Sequence, residues 1–156
     1  MTNLKKAHLF SILLGVFVIV FDQATKWSAL AFIERGSVVK VCKYVNLVLT
    51  CNFGTSFGLL TPGTEAQKWM ITALSILCVA LLTYVFCRLT TIIEKMFCSL
   101  LIGGAIGNII DRFAHGGVVD FIDLYYEDWH WPAFNIADSF ITASAVMLVI
   151  ISLKRG

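Results

Sequence analysis

Phe134-Asn135-Ile136-Ala137-Asp138-Ser139-Phe140-Ile141-Thr142-Ala143-Ser144-Ala145-Val146-Met147-Leu148-Val149-Ile150-Ile151-Ser152-Leu153 is a run of 20 residues whose only charge is Asp138. Twenty helical residues span about 30 Å, the thickness of the hydrocarbon core of a bilayer, so the run reads as a transmembrane helix. Three more blocks have the same character: Leu9–Phe21, broken only by Ser11 and Gly15; Trp69–Cys87, with 19 uncharged residues; and Met96–Ile110, with 15. The two shorter blocks reach spanning length if Asp22 and Asp111 lie at helix ends near the headgroups. The expected fold is an all-α polytopic membrane protein with four transmembrane helices, at about 8–27, 69–88, 96–112 and 134–153. Residues 1–156 then form a single membrane-embedded domain.

Composition agrees with this class. The chain has 156 residues, 58% hydrophobic and 14% charged, against ~45–50% and ~25% in soluble domains. A formal net charge of +2 and the lack of any long basic tract argue against nucleic acid as a partner. Lys5 and Lys6, Arg88 and Lys95, and Lys154 and Arg155 fall on one side of a four-span chain. Basic residues in short loops mark the cytoplasmic side, so both termini are expected there. The acidic segment from Asp111 to Asp128 faces out. Lys5–Lys6 before an apolar core resembles a signal peptide, but Asp22, Gln23 and Lys26 separate that core from the small residues Ala29-Leu30-Ala31. A retained first span is the better reading.

The segment from about 28 to 68 is more than a linker. Val38 to Val45 and Leu47 to Thr50 are β-branched and aromatic with partial alternation, and read as strands of a small extracytoplasmic β-cradle on the membrane surface. Trp27 and Trp69 bracket it, as interfacial tryptophan does. Pro62-Gly63 marks a turn. Five cysteines show no C-x-x-C spacing, and pairing of Cys42 with Cys51 stays open. His8, His115 and His130 form no ligand spacing, so neither metal nor cofactor is expected. Ser56 with Lys26 permits a serine–lysine hydrolase, on the weak signal of a lone serine.

The acids carry the functional argument. A charge at membrane depth costs at least ~2.5–3.5 kcal/mol, so an intramembrane carboxylate is a functional hypothesis by default. Asp22 precedes Lys26 by four residues, a common helix-face pair. Asp111 closes the third apolar block, where negative charge opposes the helix dipole and needs compensation from Arg112 or Lys26. Gly103, Gly104 and Gly107 permit close helix approach, and Asn108 can hydrogen-bond inward. Asp120 has apolar neighbours on both sides, in Val118-Val119-Asp120-Phe121-Ile122, and Asp138 opens the fourth helix at the same expected depth. Two carboxylates brought together share a proton, so one can take a proton from water while the other gives one to a carbonyl. A transporter or a packing subunit would also place acids among helices, but no internal repeat supports a transporter.

Four motifs in order extend the argument: Asp22-Gln23-Ala24-Thr25-Lys26, Asn52-Phe53-Gly54-Thr55-Ser56-Phe57, Gly103 through Arg112, and Val118-Val119-Asp120-Phe121 with Phe134-Asn135-Ile136-Ala137-Asp138. With four spans, the chain resembles the bacterial lipoprotein signal peptidases (signal peptidase II) over essentially its whole length. It departs at Thr55-Ser56, where relatives often carry two alanines. The resemblance implies an aspartyl endopeptidase of the inner membrane, the globomycin target. Such an enzyme removes signal peptides from diacylglyceryl-modified prolipoproteins on the N-terminal side of the lipidated cysteine. It implies Asp120 and Asp138 as the catalytic pair. It further implies Asp22, Lys26, Asn52, Gly54, Gly104, Asn108, Asp111, Arg112, Asn135 and Ala137 as residues that shape the site or hold substrate. The partners it implies are the prolipoprotein and membrane lipid, with the chain acting as a monomer near the outer (periplasmic) face. It also implies an outer helix beside the site.

Overall fold

The computed structural model describes residues 3–54 and 64–155, with side chains from residue 8 onward. Thr55, Ser56, Phe57 and the Pro62-Gly63 turn lie outside the described residues, and no separate outer helix occurs among those that are described. The chain runs α1 (Asn3–Phe32), β1 (Val39–Cys42), β2 (Val45–Asn52), α2 (Glu65–Arg88), α3 (Ile92–His115), β3 (Val118–Tyr126), β4 (Trp129–His130) and α4 (Ile136–Leu153). All four helices are long and apolar enough to cross a membrane. Their lipid-facing surfaces expose large apolar side chains, among them Leu13, Phe17, Leu77, Leu81, Val146 and Val149. The polar groups turn inward: Asp22, Lys26, Asn108 and Asp111 are all buried. In a bilayer this is the low-energy arrangement, because the hydrocarbon solvates apolar surface and cannot solvate charge.

Helix α3 is the hub, packed against α1, α4 and α2. Small residues make this possible. A Cβ on Gly103 would overlap the carbonyl oxygen of Gly15 on α1, and one on Gly107 would lie 2.5 Å from Asp22 Oδ2. On the neighbouring face, a Cβ on Gly104 would come within 2.7 Å of the Ala137 carbonyl oxygen on α4. Helix association in lipid relies on such close backbone approach. Gly103→Ala is therefore expected to wedge α1 from α3 and lower the thermal unfolding midpoint in lipid nanodiscs, at a cost of ~1–3 kcal/mol. A midpoint equal to wild type would remove the glycine seam from the account.

At 30 residues, α1 is ~45 Å long and exceeds the hydrocarbon core. The outer segment thus begins after Phe32 rather than near Ser28. The protruding end has a purpose: Ala29 and Ile33 pack with Phe121 of β3, and Leu47, Leu49, Ile122 and Ile136 close around them. The expected small β-cradle is a four-stranded antiparallel sheet in the order β1-β2-β3-β4. Its extra strands come from the acidic segment, where Val118 to Tyr126 is also β-branched and aromatic. Gly116, with φ +75°, ends α3 in the left-handed conformation and donates to the Arg112 carbonyl at 3.1 Å. That cap turns the chain at once from helix into β3. Cys42 and Cys51 are both free.

Candidate active site

The sheet and the helix ends converge on one buried polar cluster. Thr50 of β2 pairs with Asp120 of β3, and Asn52 pairs with Val118. The strand is then tied to the chain entering α4. Phe121 and Ile122 donate to the Phe134 carbonyl at 3.1 and 2.8 Å, and Phe134 donates back to Ile122 at 3.0 Å. This bridge sets Asn135 beside Asp120. Asn135 also caps α4: its Oδ1 accepts from the Asp138 backbone at 2.9 Å, and Asp138 Oδ2 accepts from the Asn135 backbone at 3.2 Å. Asp138 is thus held by a capping box in the first turn of a helix, where the helix field favours negative charge.

Two asparagines join the acids. Asn135 Nδ2 donates to Asp120 Oδ1 at 2.7 Å, while Asn108 Nδ2 donates to Asp138 Oδ1 at 2.8 Å. The two amides also touch each other, Asn135 Nδ2 to Asn108 Oδ1 at 3.3 Å. The acids differ in exposure. Asp120 is 1% exposed, whereas Asp138 is only partly buried. Burial, and then the nearby Asp138 charge, pushes the Asp120 carboxyl up to about 6, against the hydrogen bonds it accepts from Asn52 and Asn135. Asn52 is oriented in turn by accepting from the Gly54 backbone at 2.9 Å. Gly54 has φ +86°, and a Cβ there would overlap the Ile71 side chain.

Behind this pair lies a buried ion cluster. Lys26 Nζ sits 2.8 Å from both Asp22 Oδ2 and Asp111 Oδ2, and donates to Asn108 Oδ1 at 2.9 Å. Of the two cations that could offset Asp111, Lys26 does so. Its bond to Asn108 has a directional effect. With the amide oxygen held by the ammonium, the Asn108 NH2 must point at Asp138. Asp22 and Asp111 reach further. Asp22 Oδ1 accepts from the Ala137 backbone at 2.9 Å, binding α1 to the start of α4. Asp111 Oδ2 accepts from the Val119 backbone at 3.0 Å, binding α3 to β3. Among the described residues no three His, Cys, Asp or Glu side chains are grouped as a metal site. The cation between Asp22 and Asp111 is the protein's own ammonium.

Asp22, Lys26, Asn108, Asp111, Asp120, Asn135, Ala137 and Asp138 are joined in this cluster by hydrogen bonds and ion pairs, Gly104 and Arg112 lie against it, and Gly54 bonds to Asn52. Asn108 and Asn135, implied by the resemblance to shape the site or hold substrate, turn their amides to the two aspartates. Arg112 is partly buried and donates from one nitrogen to the Asn108 carbonyl at 3.0 Å. Gln23 is a further member of the cluster. Its Nε2 donates to Asp111 Oδ1 at 2.9 Å and to the Gly107 carbonyl at 3.2 Å, closing the cluster from α1. The only available signal was its position between Asp22 and Lys26.

A family model described as signal peptidase (SPase) II matches residues 14–154. A lipoprotein signal peptidase of Paraburkholderia phymatum is 44% identical over 144 residues, covering 90% of this chain and 86% of that protein. One from Pseudoalteromonas atlantica is 39% identical over 159 residues, covering 99% and 96%. Among solved structures, a bacterial membrane enzyme obtained by the in meso method superposes with a TM-score of 0.79 at 35% identity. The match covers 94% of this chain and 88% of that one. A second such structure gives 0.77 at 37% identity, covering 92% of each.

Proposed function

We propose that this chain, which belongs to the signal peptidase II family, cleaves diacylglyceryl-modified prolipoproteins on the N-terminal side of the lipidated cysteine, using Asp120 and Asp138 as a coupled acid and base. The observation that carries this reading is the bridge of Asn135 and Asn108 between two carboxylates near one end of a four-helix bundle. Residues 1–156 act as one membrane-embedded unit. Basic residues at both chain ends and in the α2–α3 turn support cytoplasmic termini, and with them aspartates at the outer face. A cysteine anchored by two acyl chains at the outer leaflet would carry its scissile bond to that depth.

The roles follow from the two environments. Asp138, partly open and at a helix N-terminus, is the base that takes a proton from the attacking water. Asp120, sealed and raised to about 6, is the member that takes up a proton first, and gives it to the carbonyl oxygen of the scissile bond. The resulting gem-diol collapses as the amine leaving group takes the proton that Asp138 received, and the second proton returns to Asp120. Arg112 is placed to satisfy a peptide carbonyl that would otherwise lie unpaired in an apolar groove. Asp22, Lys26 and Asp111 shape the site from behind.

The deciding experiment is cleavage by the purified chain in lipid, comparing a diacylated prolipoprotein with its unlipidated precursor. Cleavage before the cysteine of the lipidated form alone is expected, with inhibition by globomycin. Equal cleavage of both would remove the substrate assignment. Asn135→Ala should slow cleavage at least ~100-fold through a misplaced Asp120, and should also cost ~0.5–2 kcal/mol from the lost cap. Insertion into the membrane should persist, as judged by fractionation. Unimpaired turnover in this variant would discard the bridge as a catalytic element.

A further inference from the structure

The end of the bundle remote from the aspartates holds a second polar group beneath apolar walls. Lys95, near the start of α3, is 8% exposed, and its ammonium donates to Nδ1 of His8 on α1 at 2.8 Å. The same ammonium lies 5.4 Å from the ring centre of Phe86 on α2, against which His8 also packs at 5.0 Å. Among the described residues no carboxylate pairs with Lys95. Its neighbour Glu94 is engaged by Arg155 and Thr91. A cation held at the membrane boundary with no anion is costly, so a partner from outside the chain would lower its energy.

His8 adds a second donor. Because the ammonium donates to Nδ1, the imidazole proton must sit on Nε2. His8 also lines a cleft of about 380 Å³ between α1, α2 and α3, walled by Ile12, Val16, Ile19, Phe86 and Ile102. That volume is within the ~300–1,000 Å³ of ligand sites. The cleft exists because α2 packs on α3 rather than on α1, while Gly15 and Gly103 keep its floor low. Its walls lie within the spanning helices. A hydrocarbon chain fits such a lining, and a soluble anion does not.

We infer that this cleft binds one anionic phospholipid, its acyl chain along Ile12, Val16 and Ile19 and its phosphate at His8 and Lys95. Charge selects the class: a phosphodiester without a headgroup amine complements an ammonium that has no carboxylate partner among the described residues, whereas a zwitterionic headgroup brings its own cation. Basic pockets between membrane helices on the cytoplasmic side recognise anionic lipid in this way. In the orientation proposed above, the site faces the cytoplasmic leaflet.

The test is native mass spectrometry of the full chain released from nanodiscs holding equal phosphatidylglycerol and phosphatidylcholine. Wild type should retain phosphatidylglycerol about fivefold over phosphatidylcholine, the scale of one basic group against an anionic lipid. Lys95→Met and His8→Phe should lose this preference, and Ile12→Trp, which fills the cleft, should lower retention of both lipids. Lys154→Gln, just after α4 at the same end, should behave as wild type. Equal retention of the two lipids by wild type, or an unchanged preference in Lys95→Met, would overturn the site. If Lys95→Met does not fold, the wild-type preference and Ile12→Trp decide alone. Peptide cleavage is not a readout, so a negative result leaves the proposed reaction untouched.

Discussion

Asp120→Asn should abolish cleavage and, in the same molecule, raise thermal stability above pH 6. The loss of activity follows from the role of Asp120 as proton donor: an amide cannot exchange the proton, and general acid–base contributions run to ~10²–10⁴. The gain in stability follows from burial. The Asp120 carboxyl is 1% exposed and rises from 3.8 to about 6 on folding. Between those values the folded chain holds a proton that the unfolded chain has lost, so stability falls as pH rises through the window. Above it the full cost remains, up to about 3 kcal/mol. A neutral amide avoids that cost, and its oxygen still accepts from Asn135. Below pH 3.8 both proteins are neutral at this position and the difference should vanish. Asp138→Asn should lose activity equally without the same gain, since its carboxylate serves the α4 cap. Because the two acids act as a unit, the double variant should be no slower than either single one. Unfolding midpoints from about pH 3 to 8, measured beside cleavage of the lipidated precursor, check every part. An Asp120→Asn protein that still cleaves at a tenth of the wild-type rate would end the two-aspartate mechanism.

Lys26→Met should have the largest structural effect. The ammonium is the shared counter-ion of two carboxylates, each 2.8 Å away, and all three residues are at most 1% exposed. Removing it leaves two buried anions facing each other. Breaking a buried ion pair from one side costs ~3–5 kcal/mol, more than the pair contributes when intact. Four contacts fail together: those to Asp22, Asp111 and Asn108 directly, and through Asn108 the aim on Asp138. Stability and cleavage should therefore fall together, unlike in Asp120→Asn, where they part. Adding Asp22→Asn to Lys26→Met should recover part of the lost stability, because one uncompensated charge is removed, while activity stays low. Tryptophan-detected unfolding in nanodiscs measures the stability, and cleavage of the lipidated precursor the activity. A Lys26→Met protein melting with wild type would show that the cluster is not what ties the helix ends together.

The contrast between these two variants marks where sequence reading succeeded and where it stopped. The pairing of Asp22 with Lys26 was legible, since four residues make one helical turn. Asp111 as a charge in need of an offset was legible too, although the choice between Lys26 and Arg112 was not. Both cations are close in some fold, and only the glycine contacts of Gly103 and Gly107 with α1 bring Lys26 to Asp111. The strand carrying Asp120 is written in β-branched and aromatic residues, but Asp120 and Asp123 interrupt its apolar pattern. Asn108 and Asn135 stood out as polar groups in apolar surroundings. What they hold depends on a bridge from Ile122 to Phe134 that no local pattern announces. Asp22 and the Ala137 backbone meet across 115 residues of chain.

Membrane residence, four spans and the placement of the acids near one end were determined by the sequence itself. A bilayer acts on each segment alone: every backbone group must be satisfied within the segment, so length and apolar content decide the outcome locally. Which ammonium neutralises which carboxylate, and which amide aims which aspartate, was decided only when the helices packed. Those bonds form over less than 3.5 Å between residues far apart in the chain. Their geometry is set by how closely glycine lets one backbone approach another.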